Sequence, residues 1–279
     1  MGDGDLRARL KACPSPGGGY DLSGVDPAST PMVSSRRVAE RQLDGRLGRR
    51  LAAHHDVVYA NQDASVLVVL QGLDASGKNG TIKHVISRMN PAAVRVASFK
   101  APTPVEERHH FLWRIRQQLP DPGELVVFDR SHYEDLVVPL ATGELDDVAL
   151  KKRVRDVNRF EQELVANSTV VIKCLLHISY DEQRERFLRR LRRDDKRWKF
   201  NEGDLDTRDR WTAFQAAYGS VVASTATADA PWYVVPSDHK WYRNWAVARI
   251  IADSLADLGL RYPQPDIDVD AMRERLNAA

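Results

Sequence analysis

The sequence is poor in cysteine and has no long hydrophobic run, and these absences exclude several classes of protein. Its two cysteines, Cys13 and Cys174, cannot build the disulfide framework of a small secreted domain. Cys174 lies within an apolar run, where a buried free thiol is expected. No stretch reaches the roughly 18 apolar residues of a membrane span. The acidic N-terminus lacks the hydrophobic segment of a secretory signal, so we expect a protein of the reducing cytoplasm with no membrane partner.

Net charge is also small. The 41 basic and 39 acidic residues leave a formal net charge of +2, which gives no reason to expect a nucleic-acid partner. Hydrophobic residues at 43% and charged residues at 29% are ordinary for a soluble globular protein. A chain of 279 residues is long enough for one α/β domain with extensions or for two small domains.

Apolar runs alternate with amphipathic stretches along most of the chain, which predicts a parallel sheet with helices on both faces. The predicted strands are the run that begins at Val66 and the segments Val94–Phe99, Leu125–Asp129, Thr169–His177 and Trp232–Val235. The predicted helices cover Ser34–Ala60, Thr81–Ile86, Val105–Leu119, Ala149–Ala166 and Lys240–Leu260. In such a fold, ligands bind at the carboxyl ends of the strands.

The two ends of the chain differ from its middle. Residues 1 to about 30, with Gly-Gly-Gly at 17–19, predict an arm that either wraps the domain or frays. The arginine-rich helix over Ser34–Ala60 is expected to be solvated on one side and to pack on the edge of the sheet. We therefore divide the chain into an arm and peripheral helix (1–60), a central domain (61–262) and a peripheral tail (263–279).

Residues 72–78, Gly-Leu-Asp-Ala-Ser-Gly-Lys, match the first seven positions of the phosphate-binding loop, G-x-x-x-x-G-K. The glycines let backbone N–H groups turn inward around phosphate oxygens, and Lys78 adds a positive charge. At the eighth position the motif has a Ser or Thr that holds magnesium, whereas this chain has Asn79. Thr81 comes two residues late, so Asp74 is the alternative metal ligand. The motif could also be an ordinary glycine-rich turn, but its place between a buried strand and a helix favours phosphate binding.

An acid ends the third predicted strand, at the place where phosphate-loop enzymes hold magnesium. This residue, Asp129, could instead cap the helix that follows. Its neighbour Arg130 can bind the oxygens of a transferring phosphoryl group bidentately. Glu134 and Asp135, one turn on, are expected to face the same cleft and to bind metal, base or ribose, unless they are only the solvated acids of a helix start.

Residues 184–199 are the most basic stretch of the chain. Seven Arg and two Lys stand against one Glu and two Asp, an excess of nine minus three, or six positive charges. Basic runs are usually solvated helix faces. This one begins on a helix after the fourth strand, where nucleotide kinases carry their lid, so we predict a lid over about 184–205. Its charge exceeds what one triphosphate requires and suits a longer polyanion.

Four segments together resemble the polyphosphate kinase 2 family: Gln71–Ile82, Phe128–Asp135, Lys196–Phe200 and Pro231–Pro236. They occur in the family's order and spacing, and the resemblance covers roughly residues 30 to 262. The family tolerates a residue without a hydroxyl at the position of Asn79. The resemblance implies a thymidylate-kinase-like α/β core, with a five-stranded parallel sheet and a helical lid.

The resemblance also implies roles for individual residues. The loop is expected to hold inorganic polyphosphate as the donor, with the nucleotide opposite it as acceptor. Asp74 and Asp129 would bind magnesium, or manganese, and act in catalysis together with Lys78 and Arg130. The expected phosphate-binding residues are Gly72, Ala75, Ser76, Gly77, Lys78, Asn79, Gly80, Thr81 and, in the lid, Arg189, Arg193, Lys196 and Lys199. The expected nucleotide-binding residues are Lys100, Thr103, Arg130, His132, Glu134 and Asp135.

One run indicates a subgroup. Ser131–Asp135, Ser-His-Tyr-Glu-Asp, is similar to the family's class III, whose members phosphorylate both AMP and ADP, whereas other subgroups carry Ser-Trp-Tyr-Asn. The following segment, Pro139–Asp147, is richer in turn residues than the family pattern. This departure affects how the chain beyond Asp135 shapes the acceptor pocket.

We therefore expect a magnesium-dependent phosphotransferase that moves the terminal phosphoryl group of polyphosphate to AMP or ADP, in the cytoplasm and as a homo-oligomer, either dimer or tetramer. A first alternative is a nucleotide or small-metabolite kinase that uses ATP at the same loop; the charge of the lid speaks against it. A second alternative is a non-catalytic module that binds nucleotide or polyphosphate. The presence of Asp74, Lys78, Asp129 and Arg130 together speaks against that one.

Overall fold

The computed structural model describes residues 5–15 and 19–278 of the chain, and in this part five strands form one parallel sheet. The strands are β1 Ser65–Gln71, β2 Val94–Ser98, β3 Leu125–Asp129, β4 Thr169–His177 and β5 Trp232–Pro236. Their order in the sheet is β2-β3-β1-β4-β5. The predicted five-stranded parallel sheet is thus confirmed. The chain leaves β1 to one side for β2 and β3 and then to the other side for β4 and β5. The strand order therefore reverses at β1. In such sheets ligands bind in the crevice outside the carboxyl ends of the strands at that point.

The helices of the described residues cover both faces of this sheet. They are α1 Leu6–Leu10, α2 Arg36–Asp44, α3 Arg46–Asn61, α4 Lys78–His84, α5 Trp113–Arg116, α6 Glu134–Thr142, α7 Asp147–Ala166, α8 Tyr180–Leu191, α9 Asp194–Arg197, α10 Gly203–Asp209, α11 Trp211–Thr225, α12 Lys240–Asp257 and α13 Val269–Asn277. The region predicted as a lid is helical, since α8, α9 and α10 follow β4 in succession. None of the residues of α13 is buried.

Alternate residues of β1 enter two separate hydrophobic cores. Val66 and Val68 face a core built with α2, α3 and α12, whereas Leu67 and Val69 face a core built with α6, α7 and α11. All seven residues of β1 are buried, as expected of a central parallel strand. Because both faces of β1 are fixed, the loop that follows it starts from a rigid support.

The register of the strands brings two predicted sites together. Leu70 of β1 lies opposite Asp129 of β3, one residue before β1 ends. On the other side of β1, the same Leu70 lies opposite Cys174 of β4. Cys174 is buried as predicted, and burial raises the pKa of its thiol to about 12. The acid that ends β3 therefore stands beside the loop that follows β1.

Two predicted helices differ from the structure. The stretch Ser34–Ala60 is two helices, α2 and α3, separated at Gly45, whose φ of −111° and ψ of −113° are not helical. Both helices contact α12 and lie on one face of the sheet, not on its edge. The stretch Val105–Leu119 forms only a 3-10 turn and the four-residue α5. There the ring of His110 accepts a hydrogen bond from the N–H of Leu112, a local bond that competes with the helical ladder.

Residues 5–15 of the predicted arm wrap the domain. Leu6 and Leu10 of α1 are buried in the core that contains α12. The N–H of Ala12 donates to the carbonyl of Trp232 at 2.8 Å, and Lys11 forms an antiparallel bridge with Tyr233. This segment therefore covers the outer edge of β5. Of the glycine run 17–19, positions 17 and 18 lie outside the described residues.

Candidate active site

The loop between β1 and α4 is built around positions that need glycine. Gly72 and Gly77 have φ values of 140° and 115°. A Cβ on Gly72 would lie 2.6 Å from the carbonyl oxygen of Leu176. Ala75 also has a left-handed φ, 66°, which is unfavourable for a residue with a side chain. The backbone of the loop is thus held in one tight conformation between the strand and the helix.

The interior of the loop carries a buried amine and two buried hydroxyl groups, and the hydroxyls have no partner among the described residues. Lys78 is buried and its Nζ donates to the carbonyl of Gly72 at 2.5 Å, across the mouth of the loop. The hydroxyl groups of Ser76 and Thr81 are buried and make no hydrogen bond among the described residues. Asn79 is exposed. Unpaired buried hydroxyls are costly unless a ligand pairs with them, and phosphate oxygens fit these donors.

Asp74 and Arg130 meet across the mouth of the cleft. Nη2 of Arg130 donates to Oδ1 of Asp74 at 2.8 Å. Burial alone would raise the pKa of Asp74, but the positive charges of Lys78 and Arg130 outweigh that effect and lower it. Arg130 has a left-handed φ of 65° immediately after β3. This conformation turns the chain so that the guanidinium returns to the loop.

Asp129 does not cap the helix that follows it, and its carboxylate is available to a ligand. Its carboxylate accepts no hydrogen bond from any described residue, and the N-cap residue of α6 is Tyr133. Among the described residues no group of three or more His, Cys, Asp or Glu side chains is arranged as a metal cage. Magnesium is commonly held by one or two carboxylates together with substrate phosphates and water. Asp74 and Asp129, at the ends of neighbouring strands, fit that arrangement.

Glu134 and Asp135 point in different directions, although we expected them to face the same cleft. Oε1 of Glu134 accepts a hydrogen bond from Nε2 of Gln71 at 3.2 Å, beside the loop. Burial raises the pKa of Glu134, and the charges of Lys78 and Arg130 only partly oppose this. Glu134 therefore lies beside the phosphate loop.

Asp135 instead pairs with Arg114, whose Nη2 lies 3.2 Å from its Oδ2. Its carbonyl accepts a hydrogen bond from Arg153, because Pro139 has no N–H to offer it within α6. Arg114 and Asp135 line a cavity of about 460 Å³ between the chain that follows β2 and the helix α7. The proline of the turn-rich segment thus helps to shape this cavity.

His132 does not reach the cleft. It is fully buried, and its Nε2 lies 3.5 Å from Oε1 of Glu161. The next residue, Tyr133, is also fully buried and donates its hydroxyl to Glu161 at 2.6 Å. Glu161 in turn forms a buried ion pair with Lys173 of β4, at 2.6 Å. The predicted nucleotide contact of His132 is therefore replaced by a role in the core behind the segment 130–135.

Two further predicted nucleotide ligands, Lys100 and Thr103, are exposed on the chain that follows β2. The carbonyl of Lys100 accepts a hydrogen bond from Arg114 at 2.8 Å. The N–H of Thr103 donates to Glu106 at 2.7 Å, and Glu106 lines the same 460 Å³ cavity. These two residues thus lie beside the cavity.

The predicted lid cations are exposed and mostly paired within the lid. Arg189 pairs with Glu182 at 2.6 Å, and Arg193 and Lys196 pair with Asp195 at 2.8 and 3.4 Å. The amine of Lys199 lies 4.9 Å from the ring of Trp198. In the structure these four cations contact other residues of the lid helices and their connections.

Other residues of α8 make the direct contacts with the loop, and sequence reasoning missed them. Gln183 donates to the carbonyl of Asp74 at 3.0 Å, and Arg186 donates to the carbonyl of Ala75 at 2.8 Å. The charge of Arg190 contributes to the lowered pKa of Asp74. Positions 183, 186 and 190 recur at helical spacing, so the face of α8 that meets the loop was visible in the sequence.

Comparison with known proteins gives a consistent result. The profile of the family described as polyphosphate kinase 2 matches residues 33–261. The AMP/ADP-polyphosphate phosphotransferase of Meiothermus ruber is 43% identical over 251 residues, which cover 90% of this chain and 94% of that protein. The ADP-polyphosphate phosphotransferase of Rhodopseudomonas palustris is 39% identical over 227 residues, 77% of this chain and 78% of that protein. The crystal structure of polyphosphate kinase 2 from Arthrobacter aurescens superposes with a TM-score of 0.94 at 36% identity, covering 99% of this chain and 98% of that one.

Proposed function

Because this chain belongs to the polyphosphate kinase 2 family, we propose that its cleft transfers the terminal phosphoryl group of inorganic polyphosphate to AMP and ADP with magnesium. The chain is a polyphosphate-dependent nucleotide phosphotransferase, and the proposal concerns its residues, metal and acceptors. The supporting observation is the convergence of Lys78, Asp74, Arg130 and Asp129 at the carboxyl ends of β1 and β3. These four residues provide two cations and two carboxylates around one site.

The donor end of polyphosphate occupies the loop in this proposal. The unpaired hydroxyls of Ser76 and Thr81 and the amine of Lys78 are available for phosphate oxygens. Arg190, near Asp74, extends the positive charge from the loop towards the exposed cations of the lid. A chain of phosphates that continues past the loop suits this row of charges better than a single triphosphate does.

The protein contributes to transfer mainly by positioning and by charge. Arg130 uses one of its five N–H groups on Asp74, so the other groups are available to the phosphoryl group in transit. Lys78 moves from the carbonyl of Gly72 to a phosphate oxygen when substrate enters. Asp129 and Asp74 would hold magnesium, which would supply positive charge to neutralise the charge that develops during transfer. No covalent enzyme intermediate is needed.

The acceptor nucleotide lies on the side of Asp135. The ion pair between Asp135 and Arg114 lines a cavity of about 460 Å³, which is large enough for a nucleoside. A site that serves both AMP and ADP has to accommodate one phosphate more or less. The name of the Meiothermus ruber relative, which includes both nucleotides, supports this choice of acceptors.

The deciding experiment is a time course with AMP, polyphosphate and magnesium in which AMP, ADP and ATP are resolved. We expect ADP to appear first and ATP to follow. A parallel reaction with ATP as donor tests the alternative of a conventional kinase, which would use ATP at least as well as polyphosphate. The variant Asp129→Asn serves as the inactive control, since its carboxylate has no partner within the described structure. Binding of polyphosphate without any turnover by the wild-type protein would favour a non-catalytic module.

Assembly and location stay predictions. In the described part of the chain, no helix combines the length and the hydropathy that a membrane crossing requires. The homo-oligomer implied by the resemblance, dimer or tetramer, is checked by light scattering of the purified protein. Cytoplasmic location is checked by fractionation.

A further inference from the structure

Two buried guanidinium groups converge on one carbonyl of the phosphate loop. Nη1 of Arg186, from α8, lies 2.9 Å from the carbonyl oxygen of Ser76. Nη1 of Arg243, from α12, lies 3.2 Å from the same oxygen. Arg186 is 6% exposed and Arg243 is 2% exposed. Neither residue was singled out by its sequence pattern, and the proposed transfer step uses neither of them.

The position of this carbonyl determines where a donor of the loop points. The peptide group between Ser76 and Gly77 is planar and trans, so its C=O and its N–H point in opposite directions. Because Arg186 and Arg243 hold the C=O on the outer side of the loop, the N–H of Gly77 is directed to the inner side. That N–H makes no backbone hydrogen bond, whereas the N–H of Ser76 is used by the carbonyl of Leu73. The clamp thus orients a free donor towards the place of the phosphate.

Space for Arg243 depends on glycine. A Cβ on Gly77 would lie 1.8 Å from Nη1 of Arg243, and a Cβ on Gly80 would lie 2.7 Å from Nη2. Gly80 is in α4 and has no positive φ, so backbone conformation does not require a glycine there. A glycine inside a helix normally costs about 1 kcal/mol relative to alanine. The close approach of the Arg243 guanidinium explains why the helix has a glycine at this position despite that cost.

The charges behind the loop are not balanced within the described protein. Glu182 lies 2.8 Å from Arg186, but it also pairs with Arg189. Arg243 forms no ion pair with any described carboxylate, and its other hydrogen bonds go to Oδ1 of Asn244. Burial and the neighbouring charge of Arg186 lower the pKa of Arg243. A buried cation without an anion is unfavourable, so an anion bound in the loop would relieve the repulsion.

We propose that Arg243, together with Arg186, is a positioning residue for the donor phosphate: it holds the Ser76 peptide with its N–H inward and supplies a buried charge that only a bound polyphosphate end compensates. The inference rests on the proposed binding of polyphosphate in the loop. It differs from a packing role for Arg243, because packing would stabilise the empty protein and the bound protein equally.

The test compares two substitutions of Arg243 with a matched control on the same helix. Arg243→Met removes the charge and keeps most of the length, and Arg243→Lys keeps the charge and removes the planar fork. The control is Arg249→Met, which removes an arginine of the same helix that pairs with Asp253 at 2.7 Å. Each protein is melted with and without tripolyphosphate in the absence of metal, and KM is measured for polyphosphate and for AMP.

For Arg243→Met we expect a melting temperature of the empty protein no lower than that of Arg249→Met. We also expect loss of more than half of the shift caused by tripolyphosphate. KM for polyphosphate should rise about tenfold or more, the scale of losing one charged contact, with KM for AMP changed less than about twofold. Arg243→Lys should keep most of the shift and raise KM for polyphosphate by an intermediate factor. Arg249→Met should keep the full shift and both KM values.

Several results would overturn the inference. If Arg243→Met keeps the full shift and the KM for polyphosphate, Arg243 has no part in donor binding. If Arg243→Met does not fold, Arg243→Lys decides instead: an unchanged KM for polyphosphate in that variant would also mean that Arg243 has no part in donor binding. If the wild-type protein itself shows no shift with tripolyphosphate, the donor assignment fails and this inference fails with it. The wild-type measurement therefore separates failure of the proposed function from failure of the inference.

Discussion

Arg130 and Asp74 stand 56 positions apart in the sequence, yet their side chains form an ion pair of 2.8 Å in the cleft. The resemblance assigns one of them to the transferring phosphate and the other to the metal. In the absence of substrate, the guanidinium of Arg130 and the carboxylate of Asp74 are therefore paired with each other. A bound substrate has to separate the two groups or bridge them. A group that is already paired loses less rotamer freedom when substrate arrives, so the pair also preorganises the site.

The two carboxylates near the loop should respond differently to removal of charge. Asp129→Asn and Asp74→Asn are each expected to lower kcat by at least about 100-fold, the scale of losing an electrostatic contact in the transition state. Only Asp74→Asn should also alter the binding of both substrates, because only Asp74 holds Arg130. The measurement is steady-state kinetics at saturating magnesium, with circular dichroism to verify folding. A near-normal rate in either variant would show that its carboxylate is not a metal ligand.

The lid cations should affect polyphosphate more than nucleotide. Replacing Arg189, Arg193 and Lys196 together by Gln removes three exposed charges, each worth about 0.2–1 kcal/mol. KM for long polyphosphate should therefore rise roughly 3- to 100-fold, with a smaller change for AMP. Affinity for the polyanion should also weaken with added salt, because exposed contacts are screened. Arg190→Met removes the lid charge that helps to lower the pKa of Asp74 and should lower kcat as well as affinity. Equal effects of the triple variant on both substrates would mean that these cations only stabilise the helices.

The acceptor side is tested by two neighbouring acids that point in different directions. Asp135→Asn weakens the pair with Arg114 beside the 460 Å³ cavity and should impair AMP phosphorylation more than ADP phosphorylation. Glu134→Gln acts beside the loop and is expected to change the same ratio if Glu134 contacts the acceptor, or to reduce both activities equally if it acts on the donor side. The measured quantity is the ratio of kcat/KM for AMP and ADP. An unchanged ratio in both variants removes the two acids from the acceptor site.

The raised pKa of Glu134 gives a prediction for the stability of the metal-free protein. A carboxyl whose pKa is higher in the folded state than in the unfolded state binds protons more tightly when folded. Its effect on stability is therefore absent below the unfolded pKa of about 4.3, becomes increasingly unfavourable as pH rises from there to the folded pKa, and is constant above it. Glu134→Gln cannot ionise, so it should melt with the wild type at pH 4 and above it at pH 7. The same melting temperature difference at both pH values would contradict the assignment.

The buried pair between Lys173 and Glu161 should be asymmetric under mutation. Lys173→Met leaves a carboxylate buried without its partner and should lower the free energy of unfolding by about 3–5 kcal/mol. The double variant Lys173→Met with Glu161→Gln should recover part of that loss, since the buried charge is gone. Urea unfolding of the two variants and the wild type measures both values. If the double variant is less stable than the single one, the pair contributes more than its desolvation costs.

The strands were predictable because a buried parallel strand is a continuous apolar run with clear ends. Thr169–His177 and Leu125–Asp129 are predicted and observed with the same bounds. The helix over 34–60 was harder, because both halves carry the same apolar periodicity and only Gly45 marks the break. The prediction of one helix over 105–119 was wrong for a different reason. Its apolar residues suited a helix, but contacts of His109 and His110 with nearby residues replaced the ladder.

The loop and the acid at the end of β3 were also predictable, since each is a local motif on a recognisable element. Side-chain direction was not. His132 and Glu134 are two positions apart, yet one enters the core and the other lies beside the loop, because residues two apart in a helical turn point about 200° apart. Contacts from distant helices were equally invisible. Nothing around Arg243 in the sequence indicates that it lies against a loop 167 positions away.

The arm described above has a consequence for the order in which the molecule assembles. Arg7 of the arm pairs at 2.6 Å with Asp257, a partner 250 positions later in the chain, and Leu6 and Leu10 pack against the same distant helix. During synthesis the arm therefore leaves the ribosome long before the surface that receives it exists. At translation rates of about 5–20 residues per second it waits roughly 10 to 50 seconds. Until then Leu6 and Leu10 of the nascent chain have no surface to pack against, so this short segment closes the edge of the sheet only after synthesis of the sheet is complete.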